Sequence, residues 1–429
     1  MIDKRVLEQI LSDQQEEIAA RSGEKLCHRL EESRISLESS QTQIVAGVRG
    51  SGKSTLCCQA LRDGGVKFAC ANFDDERLFN LSAEQLNDVL EALYMIYGAF
   101  THLFLDEIQN IEGWQLFVNR LLRQRMRVIL AGSNTKLLSG ELATRLSGRN
   151  HEVRLYPFSF KEFCAMKGVD CTSLSTKAEA FRRAAFDGYL KSGGFPELLL
   201  NQNSRAYVSG LLDNILRHDI EGRYSISYKA AFEDLAAHLL NKAPVIVAPG
   251  DLARRFGFKS AHTARNYLNF LEHAFLLSGI CKYSPKSRIR MAPEKVYAID
   301  VALMGRRKNA FDGANRGHRL ETVVLLELQR RGALSGLEVK YLKERSGECD
   351  FLVCYGNRVI QAVQVSYDLA AAKTRKREIK GLLLAAKLTG CTDLLLLTDH
   401  ERDDVVQAGR SIRVRPVYQW CLEDAKAPV

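Results

Sequence analysis

The run Gly47-Val48-Arg49-Gly50-Ser51-Gly52-Lys53-Ser54 fits the pattern G-x-x-x-x-G-K-[ST] without a gap. It follows the apolar stretch Ile44-Val45-Ala46 and leads into Thr55-Leu56-Cys57-Cys58-Gln59-Ala60-Leu61, which has helical spacing. A strand, a glycine-rich loop and a helix in this order leave few folds open, because the loop must sit at a helix N-terminus and at a strand end. Its glycines let the backbone turn so that N–H groups converge on an anion. The helix N-terminus adds partial positive charge. Residues Gly47 through Thr55 are therefore the expected phosphate-binding segment. Lys53 is expected to reach the β- and γ-phosphates of ATP, and the Ser54 hydroxyl to hold Mg2+.

Downstream, residues 66–73 read as a second strand and residues 83–97 as a helix. His102-Leu103-Phe104-Leu105-Asp106-Glu107 is then an apolar strand ending in two carboxylates, the Walker B pattern. Asp106 is expected to hold Mg2+ opposite Ser54. Glu107 is expected to polarise the attacking water, a general-base role that needs hydrogen-bond reach to that water. An acidic pair after a buried strand is common in isolation; here it comes one strand-helix-strand passage after the phosphate loop. The next strand, residues 127–131, ends in Gly132-Ser133-Asn134, where Ser133 or Asn134 can lie beside the γ-phosphate. The alternative is an N-cap for a helix beginning near Thr135. Beyond it, Thr144-Arg145-Leu146-Ser147-Gly148-Arg149 offers two arginines suited to stabilise transition-state charge in a neighbouring subunit, Arg149 first and Arg145 second. The alternative is a pair of surface arginines.

At 429 residues the chain is long enough for about three domains of ~150 residues. Hydrophobic residues make up 46% and charged residues 26%, a globular balance. The N-terminal MIDKRVLEQILSDQQEEI has no apolar h-region, and Leu382-Leu383-Leu384 is soon broken by Lys387, so a cytoplasmic protein without a membrane partner is expected. Eleven cysteines, an odd count without a C-x-x-C pair, argue against a disulfide framework or a zinc site.

The net charge of +10 is unevenly placed. Residues 1–204 carry −1, residues 205–320 carry +9 and residues 321–429 carry +2. An acidic partner is expected to dock on the middle segment, with nucleic acid the leading candidate. There, residues 251–272 read DLARRFGFKSAHTARNYLNFLE. Leu252, Ala253 and Phe256 give a short helix an apolar face, Gly257 makes a turn, and Ala261, Ala264, Leu268 and Leu271 mark a second helix. The second helix offers Lys259, Ser260, His262, Thr263, Arg265 and Asn266 for phosphate and base-edge contacts in a major groove. Residues 276–283 and 296–299 are expected to pair as a wing with Lys286, Arg288 and Arg290 at its tip. The alternative is a winged helix used for protein contact.

The first half of the chain resembles the AAA+ ATPases. It is similar in particular to the bacterial and archaeal family that joins this engine to a C-terminal nuclease-like domain of unknown function. The residues that carry the resemblance are GVRGSGKST at 47–55, LFLDEIQ at 103–109, LAGSNTKLL at 130–138, LSGRNHEVRLYPFSFKEF at 146–163 and GGFPELL at 193–199. The resemblance implies that Tyr156-Pro157-Phe158-Ser159-Phe160 opens a helical lid. It also implies that Gly193-Gly194-Phe195-Pro196 lies within that lid, near the nucleotide.

From Gly317 an amphipathic helix carries Glu321. Strand-like stretches at 337–341, 349–354 and 359–365 follow, with Glu348-Cys349-Asp350 and Gln364-Val365-Ser366 at their ends. This resembles the PD-(D/E)XK nuclease core, in which a helix acid, a strand Asp and the Glu of E-x-K bind metal and the lysine helps activate water. Glu321 and Asp350 match. Gln364 stands where the second strand acid belongs and Ser366 where the lysine belongs, so a degenerate, inert site is expected unless a lysine such as Lys343 or Lys373 arrives from elsewhere. The run Lys373-Thr374-Arg375-Lys376-Arg377 can touch phosphates or form a solvated helix face.

The expected fold is α/β. It comprises a parallel-sheet P-loop AAA+ core with an N-terminal helix (1–156), a helical lid and linker (157–228), a winged helix-turn-helix (229–305) and an α/β nuclease-like domain (306–429). The expected function is Mg2+-dependent ATP hydrolysis by a homo-oligomer, a hexamer among the options, coupled to binding or remodelling of double-stranded or branched DNA. The alternatives are an ATP-dependent assembly switch acting through protein partners, and an ATP-regulated nuclease.

Overall fold

The computed structural model describes residues 2–23, 26–134, 150–200, 204–284, 294–305 and 316–424. The chain divides into two compact units, Met1–Leu155 and Tyr156–Val429.

The first unit is built on a five-stranded parallel sheet in the order β2-β3-β4-β1-β5. Its strands are β1 (Thr42–Ala46), β2 (Phe68–Asn72), β3 (His102–Asp106), β4 (Arg127–Gly132) and β5 (Asn150–Arg154). Every residue of β1 and β3 is buried, as expected of central parallel strands covered on both faces. Alternation sorts their side chains. Ile44, Leu103, Leu105, Val128 and Leu130 face one core, while Val45, Phe104 and Ile129 face the other. The first core is closed by α1 (Lys4–Ala20), α3 (Leu86–Tyr97) and α4 (Trp114–Arg123). α1 starts at Asp3, whose carboxylate accepts the Arg5 N–H, and buries Leu7, Ile10, Leu11 and Gln14 at helical spacing. The second core is closed by α2 (Lys53–Asp63) through Leu56, Cys57 and Leu61. Each such apolar side chain contributes about 1.5–3 kcal/mol by leaving water. The order puts β4 between β1 and β3, so the exits of three neighbouring strands line up at one edge of the sheet.

The second unit opens at Tyr156-Pro157-Phe158. Ser159 then caps the Phe160–Lys167 helix in a reciprocal box with Glu162. After the Thr176–Ser192 helix, Gly193 and Gly194 pass through a tight space. A Cβ at Gly193 would lie 1.8 Å from Asp300 Oδ1, and one at Gly194 would lie 2.2 Å from the Phe158 carbonyl oxygen. Gly194 N–H donates to Asp300 Oδ2 at 2.9 Å, and Phe158 N–H donates to Gly194 O at 2.7 Å. The Gly193-Gly194 motif is thus a close-packing element inside this unit.

Residues 229–305 form the Lys229–Lys242, Pro249–Phe256 and Ala261–His273 helices and an antiparallel sheet in the order β6-β8-β7. Its strands are β6 (Val245–Val247), β7 (Leu277–Cys281) and β8 (Glu294–Ala298). Gly257 makes the expected turn with φ 70°. The last part is a six-stranded sheet in the order β13-β14-β12-β11-β10-β9, comprising β9 (Glu338–Glu344), β10 (Gly347–Tyr355), β11 (Arg358–Ser366), β12 (Leu394–Thr398), β13 (Asp403–Gln407) and β14 (Arg410–Pro416). It packs against the Arg316–Ser335 and Ala372–Thr389 helices. Tyr283 N–H donates to Tyr341 O at 2.7 Å, which brings the chain leaving β7 against β9.

Candidate nucleotide site

The loop after β1 ends at Gly52, which caps α2 with φ 92°, and Gly50 has φ 80°. Both values lie in the left-handed region that glycine adopts without strain. Gly47 is required for another reason, since a Cβ there would stand 2.1 Å from Leu155 O. The backbone is tied down on both sides. Gly47 N–H donates to Gly132 O at 3.3 Å, at the exit of β4, and Leu155 N–H donates to Ala46 O at 2.8 Å. Arg29 donates to Ser51 O at 3.0 Å. Sequence reasoning missed this brace; its one signal was an arginine close before the strand that precedes the loop. Val48 and Ser51 are buried, while Ser54 and Thr55 are exposed on the first turn of α2. The Arg49 guanidinium pairs with Asp74 at 2.9 Å, so Arg49 offers the loop its backbone.

Lys53 is buried. Its ammonium donates to Val48 O at 3.3 Å and lies 3.9 Å from Glu107 Oε1. Ser54 Oγ donates to Asp106 Oδ2. Asp106 Oδ1 is buried without a hydrogen-bond partner among the described residues. Burial, reinforced by the neighbouring Glu107 charge, pushes the Asp106 carboxyl up to about 7, against the pull of Ser54 and Lys53. A hydroxyl bonded to a carboxylate whose other oxygen is unspent is a donor set that fits Mg2+.

Glu107 leaves β3 in the left-handed region, φ 51°, which is rare for a residue with a side chain. Its N–H donates to Ala131 O at 2.8 Å. Its Oε2 accepts from Ser133 N–H at 3.2 Å, from Ser133 Oγ at 3.1 Å and from Gln109 Nε2. The backbone turn and these donors aim the carboxylate back toward Lys53. Ser133 and Asn134 are fully buried at the exit of β4. Ser133 or Asn134 is expected beside the γ-phosphate; in the structure both donors of Ser133 reach the Glu107 carboxylate. Arg145 and Arg149 lie outside the described residues.

In the second unit, Lys259, Ser260 and His262 are exposed and Thr263, Arg265 and Asn266 half-buried on the turn and helix that follow Gly257. Ser260 caps the helix by accepting the Thr263 N–H at 3.2 Å, and Asn266 reaches His262 at 3.4 Å. Lys286, Arg288 and Arg290 lie outside the described residues.

The same unit brings Glu321, Asp350 and Gln364 together. Asp350 N–H donates to Gln364 Oε1 at 3.1 Å, Val365 N–H donates to Asp350 Oδ2 at 3.0 Å, and Gln364 Nε2 donates to Glu378 Oε2 at 2.7 Å. Ser366 Oγ turns away to Asp368 O at 3.1 Å. The lysine at the centre of this group is neither Lys343 nor Lys373 but Lys295, on β8. It ion-pairs with Glu321 at 2.8 Å, Glu348 at 3.0 Å and Asp350 at 3.2 Å. Lys343 reaches only the rim, 3.3 Å from Glu348. Lys295 escaped notice because a lone lysine in a strand normally points to solvent. Its signal was alternation with Tyr297, which places both on one face, and Tyr297 OH donates to Glu321 at 2.8 Å.

No helix among the described residues is long and apolar enough to cross a membrane. The AAA domain family matches residues 39–164, and a domain of unknown function (DUF8612) matches residues 183–312. An uncharacterized protein of Methanocaldococcus jannaschii is 31% identical over 98% of this chain and 96% of its own length. An uncharacterized protein of Haemophilus influenzae is 30% identical over 76% of this chain and 82% of its own. Among solved structures, the Walker-type ATPase PABY2304 of Pyrococcus abyssi has a TM-score of 0.41 at 16% identity, covering 65% of this chain and 95% of that one. The Thermotoga maritima RuvB Holliday junction branch migration motor has a TM-score of 0.31 at 15% identity, covering 69% and 90%.

Proposed function

We propose a Mg2+-dependent ATP hydrolase whose turnover is coupled to DNA; the chain belongs to the family of these Methanocaldococcus jannaschii and Haemophilus influenzae proteins and carries an AAA domain with a P-loop ATPase core. The observation that carries the hydrolytic reading is the convergence of Lys53, Ser54, Asp106 and Glu107 at the exits of β1 and β3, with Lys53 and Glu107 3.9 Å apart.

The residues divide the chemistry between them. The loop N–H groups and the Lys53 ammonium bind and orient the phosphates; Lys53 exchanges Val48 O and Glu107 for phosphate oxygens. Ser54 and Asp106 would hold Mg2+, which supplies charge neutralisation on the phosphate oxygens. Glu107, aimed by Ser133 and Gln109, accepts a hydrogen bond from the attacking water and takes up its proton. Arg149, with Arg145 second, is assigned to the transition-state charge in a neighbouring subunit of a homo-oligomer.

The DNA reading is supported by the +9 charge of residues 205–320 and by the exposed Lys259 and His262 with Arg265 beside them. Residues 157–228 serve as lid and linker, 229–305 as a winged helix, and 306–429 as a nuclease-like domain that binds or assembles rather than cuts. The test is the ATPase rate at one salt concentration without DNA and with duplex, single-stranded and four-way-junction DNA. A rise with DNA supports the coupling. A flat response refutes it and favours a switch driven by protein partners.

A further inference from the structure

The carboxylate cluster of the second unit has no place in ATP hydrolysis, and its chemistry can be read separately. Glu321 comes from the Arg316–Ser335 helix, and Glu348 and Asp350 come from β10. Three carboxylates converging this closely need a cation. A nuclease-like core implies a divalent metal, whose oxygen ligands would lie at roughly 2.0–2.6 Å.

The residues present do not fit one. A lysine ammonium has three N–H donors. Those of Lys295 point to three different carboxylates, at 2.8, 3.0 and 3.2 Å, which are hydrogen-bond lengths. Lys295 is 5% exposed and Asp350 7% exposed, so the ammonium and this carboxylate are shielded from water, with Glu348 at the rim. Burial alone disfavours the ammonium, but Asp350, Glu321 and Glu348 together outweigh it and hold its pKa above the ordinary lysine value. Other donors share the same carboxylates: Tyr297 OH donates to Glu321, Lys343 pairs with Glu348, and Val365 N–H donates to Asp350 Oδ2.

We propose that Lys295 is a built-in replacement for a metal ion, so that the Glu321–Glu348–Asp350 cluster is a divalent-cation site permanently filled by the protein's own ammonium. The cation comes from β8 of the three-stranded sheet and two of the carboxylates from β10 of the six-stranded sheet. The cluster therefore joins two sheets rather than activating water.

The test is Mn2+ binding to the full chain without nucleotide, followed by calorimetry, for wild type, Asp350→Asn, Lys295→Met and the double variant. Wild type and Asp350→Asn should give the same isotherm. Lys295→Met should gain one site per chain, at least tenfold tighter than any in wild type, and the double variant should lose it. Mn2+ should raise the thermal midpoint of Lys295→Met by more than it raises that of wild type. A wild-type Mn2+ site that disappears in Asp350→Asn overturns the proposal, and this comparison holds even if Lys295→Met does not fold. A folded Lys295→Met chain that gains no site also overturns it.

Discussion

Glu107 accepts hydrogen bonds from both donors of Ser133, the backbone N–H at 3.2 Å and the hydroxyl at 3.1 Å. The group assigned to activate water is thereby fixed to the end of β4, a strand that contributes no carboxylate of its own. Ser133→Ala removes one of those donors, worth about 1 kcal/mol. The expected result is a roughly fivefold fall in kcat with nucleotide affinity unchanged. Steady-state kinetics beside equilibrium nucleotide binding would check it; an equal loss in affinity would place Ser133 on the phosphate instead.

Glu107→Gln keeps the shape of the side chain and its hydrogen-bonding capacity but cannot take a proton. Turnover is expected to fall by roughly 10²- to 10⁴-fold while nucleotide still binds. Normal turnover in this variant would refute the assigned role.

Lys53→Ala deletes the ammonium that lies against Val48 O. Nucleotide affinity is expected to drop roughly 10- to 100-fold, the equivalent of one charge-assisted hydrogen bond at about 1.5–3 kcal/mol. Titration with a fluorescent nucleotide would measure it.

Burial, with the Glu107 charge beside it, pushes the Asp106 carboxyl up to about 7. Mg2+ binds the ionised form, so below that value it must displace a proton. Mg2+-nucleotide affinity is therefore expected to rise from pH 6 to pH 8 and then level off, with proton release on binding. Calorimetry in two buffers of different ionisation enthalpy would detect the release, and Asp106→Asn should abolish both effects.

A side chain at Gly194 has no room, with the Phe158 carbonyl oxygen 2.2 Å from where its Cβ would sit. Gly194→Ala is expected to cost the second unit roughly 3 kcal/mol. Gly188, with nothing within 4 Å of its Cβ position, is the control. There alanine should be neutral or stabilise the Thr176–Ser192 helix by about 0.4–1 kcal/mol. Thermal melts of the two variants would separate packing from mere loss of glycine.

Much of the candidate site was legible because its parts are short and local. The loop, the strand ending in Asp106 and Glu107, and the strand ending in Ser133 each announce themselves within eight residues. What stayed hidden depends on residues far apart in sequence. Arg29 bracing Ser51, Asp300 receiving Gly194 across 106 positions, and Lys295 entering a carboxylate cluster 55 residues from Asp350 have partners that no local pattern names. The glycine pair at 193–194 was visible as a motif, but its reason, a backbone squeezed between Phe158 and Asp300, is a property of packing. The contact of Ser133 with Glu107 was not legible, since nothing in a single strand says which neighbour's carboxylate its donors will meet.

The position of β4 has a consequence beyond placing Ser133. Its last residues give Gly132 O to the phosphate loop, Ala131 O to the Glu107 backbone and both Ser133 donors to the Glu107 carboxylate. The two roles proposed for this site, holding phosphate and activating water, thus rest on one strand end. A change that shifts the backbone at 131–132 would disturb the loop and the Glu107 turn together, whereas one confined to the Ser133 side chain touches only the Glu107 carboxylate.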